Sequence, residues 1–416
     1  MKQALSLLLA AVLGLGLPSG CSQASAVREL TASKLSATPS ESEEVNSALS
    51  DFGLELLQRS REAGKASTLV SPLSVALALS MTANGAEGET LAQFQEVLGG
   101  GVDLAELNGA CVQLTRDYQS LGGSTKCSIA NSLWVDPDGQ IKDDFVGKCQ
   151  GIFDAQVFQG ELSAPGIVGS LNGWVSKHTN KLIPKIIDKP FPEETACLLV
   201  NALYLKNKWL SEFDPLSTSE MDFHHEGGSD SRVEYLQKFD TELSYLNGEG
   251  AQGAVLPYDD GRLAFFVLLP DLYPDSPELG KWLSTLDGSG LTQLINSRED
   301  ALFLRFSMPK FEAEWKGNLE EILPLMGLED AFADGVADFS SMGENPNGYY
   351  ISQVIHAAKI QVNEKGTEAA AATVVDAPAG AAPPLPEGIT LILDRPFLYG
   401  IVDLHTGVPL FLGTYE

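Results

Sequence analysis

The stretch "NEKGTEAAAATVVDAPAGAAPPLPEG", Asn363 to Gly388, restricts the fold more than any other part of the chain. Its second half is so rich in Pro, Gly and Ala that neither a helix nor a central strand can run through it. Its first half has the alanine content of a helical turn but the alternation of a strand. Numbered by parity, Thr367, Ala369, Ala371, Thr373, Val375 and Ala377 share one face, and none of them is charged. Glu368, Ala370, Ala372, Val374 and Asp376 share the other, which takes both acids. Such segregation suits a strand with one face buried and one wet. The uncharged face is all small or β-branched, so it could enter between elements already closely packed. A bulky or charged residue there would be strongly unfavourable. Gly366 supplies a backbone hinge at the start. The stretch therefore reads as a strand in waiting, followed by an exposed loop.

A chain of 416 residues that is 44% hydrophobic builds a substantial core. From about Val45 onward no linker, repeat or composition break interrupts it, so residues 45–416 read as one domain. The N-terminal half reads as helix-rich. Leu49, Phe52, Leu56 and Leu57 recur at helical spacing before Gly64, and "SPLSVALALSMTANGAEGETLAQFQEVLGG" predicts two helices around a Gly85–Gly88 turn. The C-terminal half carries strand runs, among them "ACLLVNALYLKNKW", "LAFFVLLP", "AAKIQVNE" and "PLFLGTY". Several are apolar on both faces, as in a sheet covered on both sides. Helices first and strands later, without βαβ alternation, predict an α+β fold.

Lys plus Arg total 27 against 56 Asp plus Glu, a net charge of −29. That balance argues against nucleic acid and against heparin-type polyanions, whose binding needs basic patches. Enzyme constellations are missing. His224 and His225 are adjacent, His178, His356 and His405 isolated, and no HExxH, GxSxG or phosphate loop occurs. "DPDGQIKDD" lacks the ligand spacing of a calcium loop and reads as a polar turn. No metal or cofactor is expected. Ser71 and Ser74 open an apolar helix, where capping and core hydrogen bonding are the default roles. His356, in "QVIHAAKI", reads as a satisfied buried imidazole.

The N-terminus reads as an export signal, residues 1–20, with Lys2 and an apolar stretch from about Leu5 to Leu17. That stretch is shorter than the roughly 20 residues a membrane span takes. Pro18-Ser19-Gly20-Cys21 resembles a bacterial lipobox, although the leucine stands four positions before the cysteine, not three. Cys21 is the lipidation candidate, and Ser22 after it favours an outer membrane. The protein is thus expected in the cell envelope or outside the cell. Residues 21–44, rich in Ser, Ala and Glu, read as a flexible tether. Cys111, Cys127, Cys149 and Cys197 allow three pairings, and Cys197 in its apolar run reads as a buried thiol.

"VNEKGTEAAAAT", Val362 to Thr373, resembles the reactive-centre-loop hinge of the serpins, the serine protease inhibitor superfamily. "LNGWVSKHTNKLIPKII", "VNALYLKNKW", "MPKFEAE", "ADFSSM", "VIHAAKIQVNEKGTEA" and "RPFLYGIVDLHTGVPLFLG" match that family in order, so the resemblance covers about residues 45–416. It implies three β-sheets with eight or nine helices, an exposed loop at about 364–390, and a monomer. It further implies an inhibitor, not an enzyme. A serine protease attacks the loop, and the cut loop enters the main sheet with the acyl-linked protease attached. By resemblance, Glu364, Gly366, Thr367, Glu368, Ala369, Ala370, Ala371, Ala372 and Thr373 form the hinge. Ser71, Ser74, Asn201 and His356 form a hydrogen-bonded shutter beneath the sheet, and Trp209 stands where insertion begins. Non-inhibitory serpins, which act as binding proteins or chaperones, typically carry charged, bulky or proline residues in this hinge, and Gly366 to Thr373 has none of these but Glu368, on the wet face.

Family spacing from Glu364 puts the scissile bond at Gly380-Ala381, whereas counting back from Pro396 gives Leu385-Pro386. Proline after the cut resists most serine proteases, and no Lys or Arg occurs from Thr367 to Gly388. Cleavage at Ala379, Gly380 or Ala381 by an elastase-like or subtilisin-like protease is expected.

Overall fold

Apolar spacing and capping build the first helix. In α1 (Glu43–Ala63), Leu49, Phe52, Leu56 and Leu57 are buried, and Ser42 Oγ accepts from the Val45 amide at 3.2 Å. α2 (Pro72–Ala83) is buried at every residue, so it is a central helix, not a surface one. It is followed by α3 (Gly88–Gly99), α4 (Leu104–Gln119), α5 (Asp143–Ile152), α6 (Gly166–His178), α7 (Leu279–Leu283) and α8 (Gly288–Asn296). The computed structural model describes residues 27–64, 67–240, 243–271, 278–300, 303–367 and 388–416.

The main sheet has seven strands. In chain order they are β1 (Val27–Leu30), β2 (Lys126–Val135), β3 (Gln156–Gly160), β4 (Cys197–Lys208), β5 (Phe311–Asn318), β6 (Gln353–Asn363) and β7 (Gly366–Thr367). Their spatial order is β1-β3-β2-β4-β7-β6-β5. A second sheet, also of seven strands, contains the hairpin pair 397–403 and 409–415. A four-stranded sheet receives the chain at Ile389–Ile392, which runs parallel to Leu304–Pro309. A two-stranded ladder joins Gly343–Glu344 to Gln140–Ile141.

Both faces of the main sheet are covered. Leu199, Leu203 and Leu205 of β4 enter the large core with α1 and α2. Leu198, Val200 and Ala202 meet Ile167, Leu171 and Val175 of α6. Two buried faces explain the unbroken apolar run of this strand.

Two expectations need correction. β2, α5 and β3 form a βαβ unit, since β2 and β3 are parallel. The pattern was concealed because β2 starts half-exposed with Lys126 and β3 carries two glutamines in five residues. Residues 27–42, read as part of a tether, are instead bound to the domain. β1 pairs with the free edge of β3. From there the chain crosses α5 and α4, with Leu35 N–H donating to Gly147 O at 2.9 Å and Ser40 N–H to Gly109 O at 3.2 Å. A Cβ at Gly151 would overlap the Leu35 carbonyl, so the strap lies flush on α5. A short polar segment of this kind becomes a strand only because an unpaired edge is available to it.

Candidate functional site

β4 and β6 are joined at one end of the main sheet and wedged apart at the other. At the joined end they pair in parallel, Leu198 to Ala202 against Gln353 to Ala357, with His356 opposite Asn201. At the wedged end β7 sits between them, antiparallel to both. Gly366 faces Lys208 and Asn363, and Thr367 faces Asn207 and Val362.

The joined end rests on a polar cluster. Ser71, Ser74, Asn201 and His356 are fully buried there. Ser74 Oγ donates to Asn201 Oδ1, and Asn201 Nδ2 donates to Ser74 O and to Asn131 Oδ1, each at 2.6 Å. The Ser71 amide donates to His356 Nε2 at 3.1 Å, while Ser71 Oγ donates to Leu410 O at 2.8 Å. Ser71 occupies the N-cap position of α2, yet its hydroxyl makes no cap bond; it ties the helix to the second sheet. Because Nε2 accepts, the ring proton lies on Nδ1, which has no partner among the described residues. Burial pushes the His356 pKa down to about 3, so the ring is neutral.

The wedged end is held by a different set. Trp209 Nε1 donates to Asn363 O at 2.8 Å, its amide donates to Lys365 O at 3.1 Å, and the Phe213 amide donates to Glu364 O at 2.8 Å. The Trp209 ring stacks on Tyr258, with centroids 5.0 Å apart. Tyr258 OH and Thr367 Oγ1 share a hydrogen bond of 2.5 Å, and Thr367 is 2% exposed. Glu364 Oε1 accepts from Lys310 Nζ at 3.0 Å and from Thr218 Oγ1 at 3.1 Å. Burial would raise the Glu364 pKa, but its own backbone amide, Lys310 and Thr218 outweigh it and the net shift is downward. Gly366 has φ +148°, and a Cβ there would overlap the Asn207 carbonyl, so the wedge admits only glycine at that point.

The structure thus brings Ser71, Ser74, Asn201 and His356 into one cluster, and Trp209, Glu364, Gly366 and Thr367 into another. Glu368, Ala369, Ala370, Ala371, Ala372 and Thr373 lie outside the described residues, as do Ala379, Gly380, Ala381, Leu385 and Cys21. Sequence reading missed Asn131, Thr218, Tyr258 and Lys310. Asn131, a lone amide in "SIANSLW", carried a signal, because a polar side chain in an apolar strand needs a buried partner. The four thiols are free, with Cys111, Cys149 and Cys197 buried. Among the described residues no group of side chains could hold a metal ion.

A sheet held shut at one end and opened by a hinge at the other defines the class. A family model described as Serpin (serine protease inhibitor) matches residues 47–416. Plasminogen activator inhibitor 1 of Neovison vison is 30% identical over 408 residues, with 96% of each chain covered. Intracellular coagulation inhibitor 2 of Tachypleus tridentatus is 30% identical over 385 residues, covering 89% of this chain and 90% of that one. The thermophilic serpin tengpin in its native state is 33% identical, with a TM-score of 0.83 over 93% of this chain and 97% of that one. The same protein in its latent state gives a TM-score of 0.76 at 30% identity, over 91% and 99%. The chain belongs to the serpin family, and its α+β architecture is the serpin fold.

Proposed function

We propose that this protein is a single-use inhibitor of serine proteases that prefer small, uncharged residues. The protease serine oxygen attacks a loop carbonyl at Ala379, Gly380 or Ala381. The C–N bond breaks, the downstream segment departs as an amine, and an ester links the loop to the enzyme. The freed loop then extends β7 as a full strand, and distortion of the attached protease stops hydrolysis of the ester.

The observation that carries this reading is the register of β7. Thr367 faces Asn207 and Val362, and continuing one residue at a time would bring position 369 opposite Leu205 and Ile360. Position 371 would meet Leu203 and Ala358, and position 373 would meet Asn201 and His356. The uncharged small-residue face of the loop is therefore the one that would turn toward the large core, where Leu203, Leu205, Ala358 and Ile360 lie. A non-inhibitory binding protein has no need of that match.

Elastase tests the proposal. An SDS-stable adduct, with the released C-terminal peptide starting between residues 378 and 384, is expected. Cleavage without an adduct leaves the binding-protein alternative, and a first cut outside 377–383 overturns the assignment of the bond. The same reading places the protein in the cell envelope, exported and held through an acylated Cys21, on the strength of Pro18-Ser19-Gly20-Cys21. Several acyl chains make such an anchor stable where one alone is marginal. Membrane fractionation of the Cys21→Ser variant checks it, since the variant should leave the membrane.

A further inference from the structure

Strand register fixes where the N-terminal segment leaves the domain. Val27 lies opposite Gly160 and Leu30 opposite Val157. Val157 faces Leu133 in β2, and Leu133 faces Leu199 in β4. Leu30 is therefore level with Leu199, and Val27 lies just past Cys197, the end of β4 remote from the wedge. Gly366, by contrast, is level with Lys208. Twelve residue steps at about 3.3 Å separate the two levels, so the N-terminal exit and the root of the loop are about 40 Å apart along the sheet.

The exit is also fastened. Gln150 holds the strap twice, accepting from the Ala32 amide at 3.2 Å and donating to Leu30 O at 3.0 Å. Ser42 Oγ donates to Glu106 at 2.9 Å where the strap reaches α1. A pull on the N-terminus is thus borne by the edge of the main sheet.

We propose that the pole opposite the reactive loop faces a lipid bilayer through acylated Cys21, so that loop insertion delivers the trapped protease to the membrane surface. This rests on the anchored-inhibitor reading above. Ser22 to Ala26 link Cys21 to Val27, a reach of at most about 22 Å over six residue steps. The same pole carries Asp136, Glu193, Glu194 and Asp334 around one cleft. Those carboxylates are repelled by anionic headgroups, and no helix among the described residues is long and apolar enough to cross a membrane. The pole therefore stands off the bilayer by no more than the tether's reach. A loop threading from Thr367 toward Cys197 travels to this pole and takes its acyl-linked protease with it. A protease of about 220 residues is roughly 45 Å across, wider than the gap, so the domain tilts about its tether as the protease arrives.

Two measurements on the full chain test the proposal. Spin labels at Glu29→Cys and Lys208→Cys should lie about 36 Å apart in the free protein, from ten residue steps and three strand spacings; a separation below about 25 Å overturns the polarity. The acylated protein is then placed in vesicles of phosphatidylethanolamine and phosphatidylglycerol that contain an acceptor-labelled lipid, and donor-labelled elastase is added. Energy transfer should rise several-fold in step with the SDS-stable adduct and stay low with a catalytically inert elastase. An adduct without that rise overturns delivery to the membrane, and equal transfer with inert elastase overturns the outward-facing loop. If no adduct forms, the inhibitor reading fails and delivery with it, while the spin-label distance still decides the polarity.

Discussion

Lowering the pH should weaken the joined end of the main sheet, because His356 must remain neutral there. Its Nε2 accepts from the Ser71 amide, so a second proton would break that bond and leave a cation in a fully buried site. Its folded pKa is pushed down to about 3 by burial, against about 6.5 for an unfolded chain. As the pH falls below about 6.5, the unfolded state takes up the proton first. The stability tied to the neutral ring is thus complete above that pH and declines by about 1.4 kcal/mol per unit on the way toward the folded value. Between pH 7.5 and 4.5 the loss is roughly 3 kcal/mol.

Other groups titrate over the same range, so the comparison is with His356→Gln, which removes this proton alone. Urea unfolding of both proteins at pH 7.5, 6.5, 5.5 and 4.5 gives the difference directly. The variant should be the less stable at pH 7.5 and should close most of the gap by pH 4.5. Parallel losses in the two proteins would mean that His356 becomes charged without penalty, and the account of the buried cluster would be wrong.

At the other end, Glu364→Gln should reduce stability by about 1.5 kcal/mol at pH 7, the scale of a charge-assisted bond. Because the Glu364 pKa is lowered, that difference is present above about pH 4.3 and disappears in urea melts as the pH drops through the folded value. Thr367→Arg puts a guanidinium beside buried Tyr258, so elastase should still cut the loop while the SDS-stable fraction drops at least tenfold. Melting the intact and the loop-nicked protein in parallel should show a clear rise in Tm for the nicked form; coincident melts would exclude the insertion mechanism.

Much of this architecture could be read from residue spacing, because its determinants are local. The stripe of α1, the doubly apolar β4 and the parity of the segment after Gly366 are each contained within a few turns or strand repeats. What spacing could not reach depends on partners far along the chain. Ser71 has the position of a helix cap, but its hydroxyl bonds Leu410, 339 residues away. Lys310 and Glu364 meet across 54 residues, and neither "MPKFEAE" nor "VNEKG" announces the other. β1 has almost no strand signal of its own, and it exists because β3 presents an unpaired edge.

The two ends of the site bear on each other through the same pair of strands. Where β4 and β6 pair directly, each lends one edge to a parallel ladder. A strand entering between them would replace that ladder with two antiparallel ones, as β7 already does over Gly366 and Thr367. It would also bring a new backbone, and a threonine at position 373, beside the His356 Nδ1–H that lacks a partner among the described residues. The better-bonded arrangement is therefore already outlined in the starting one. What withholds it is the covalent continuity of the loop, anchored by Glu364 and Thr367 at one end and by Ile389–Ile392 at the other. On the proposed mechanism, a protease that cuts between those anchors would release this constraint and let the wedge extend toward the joined end.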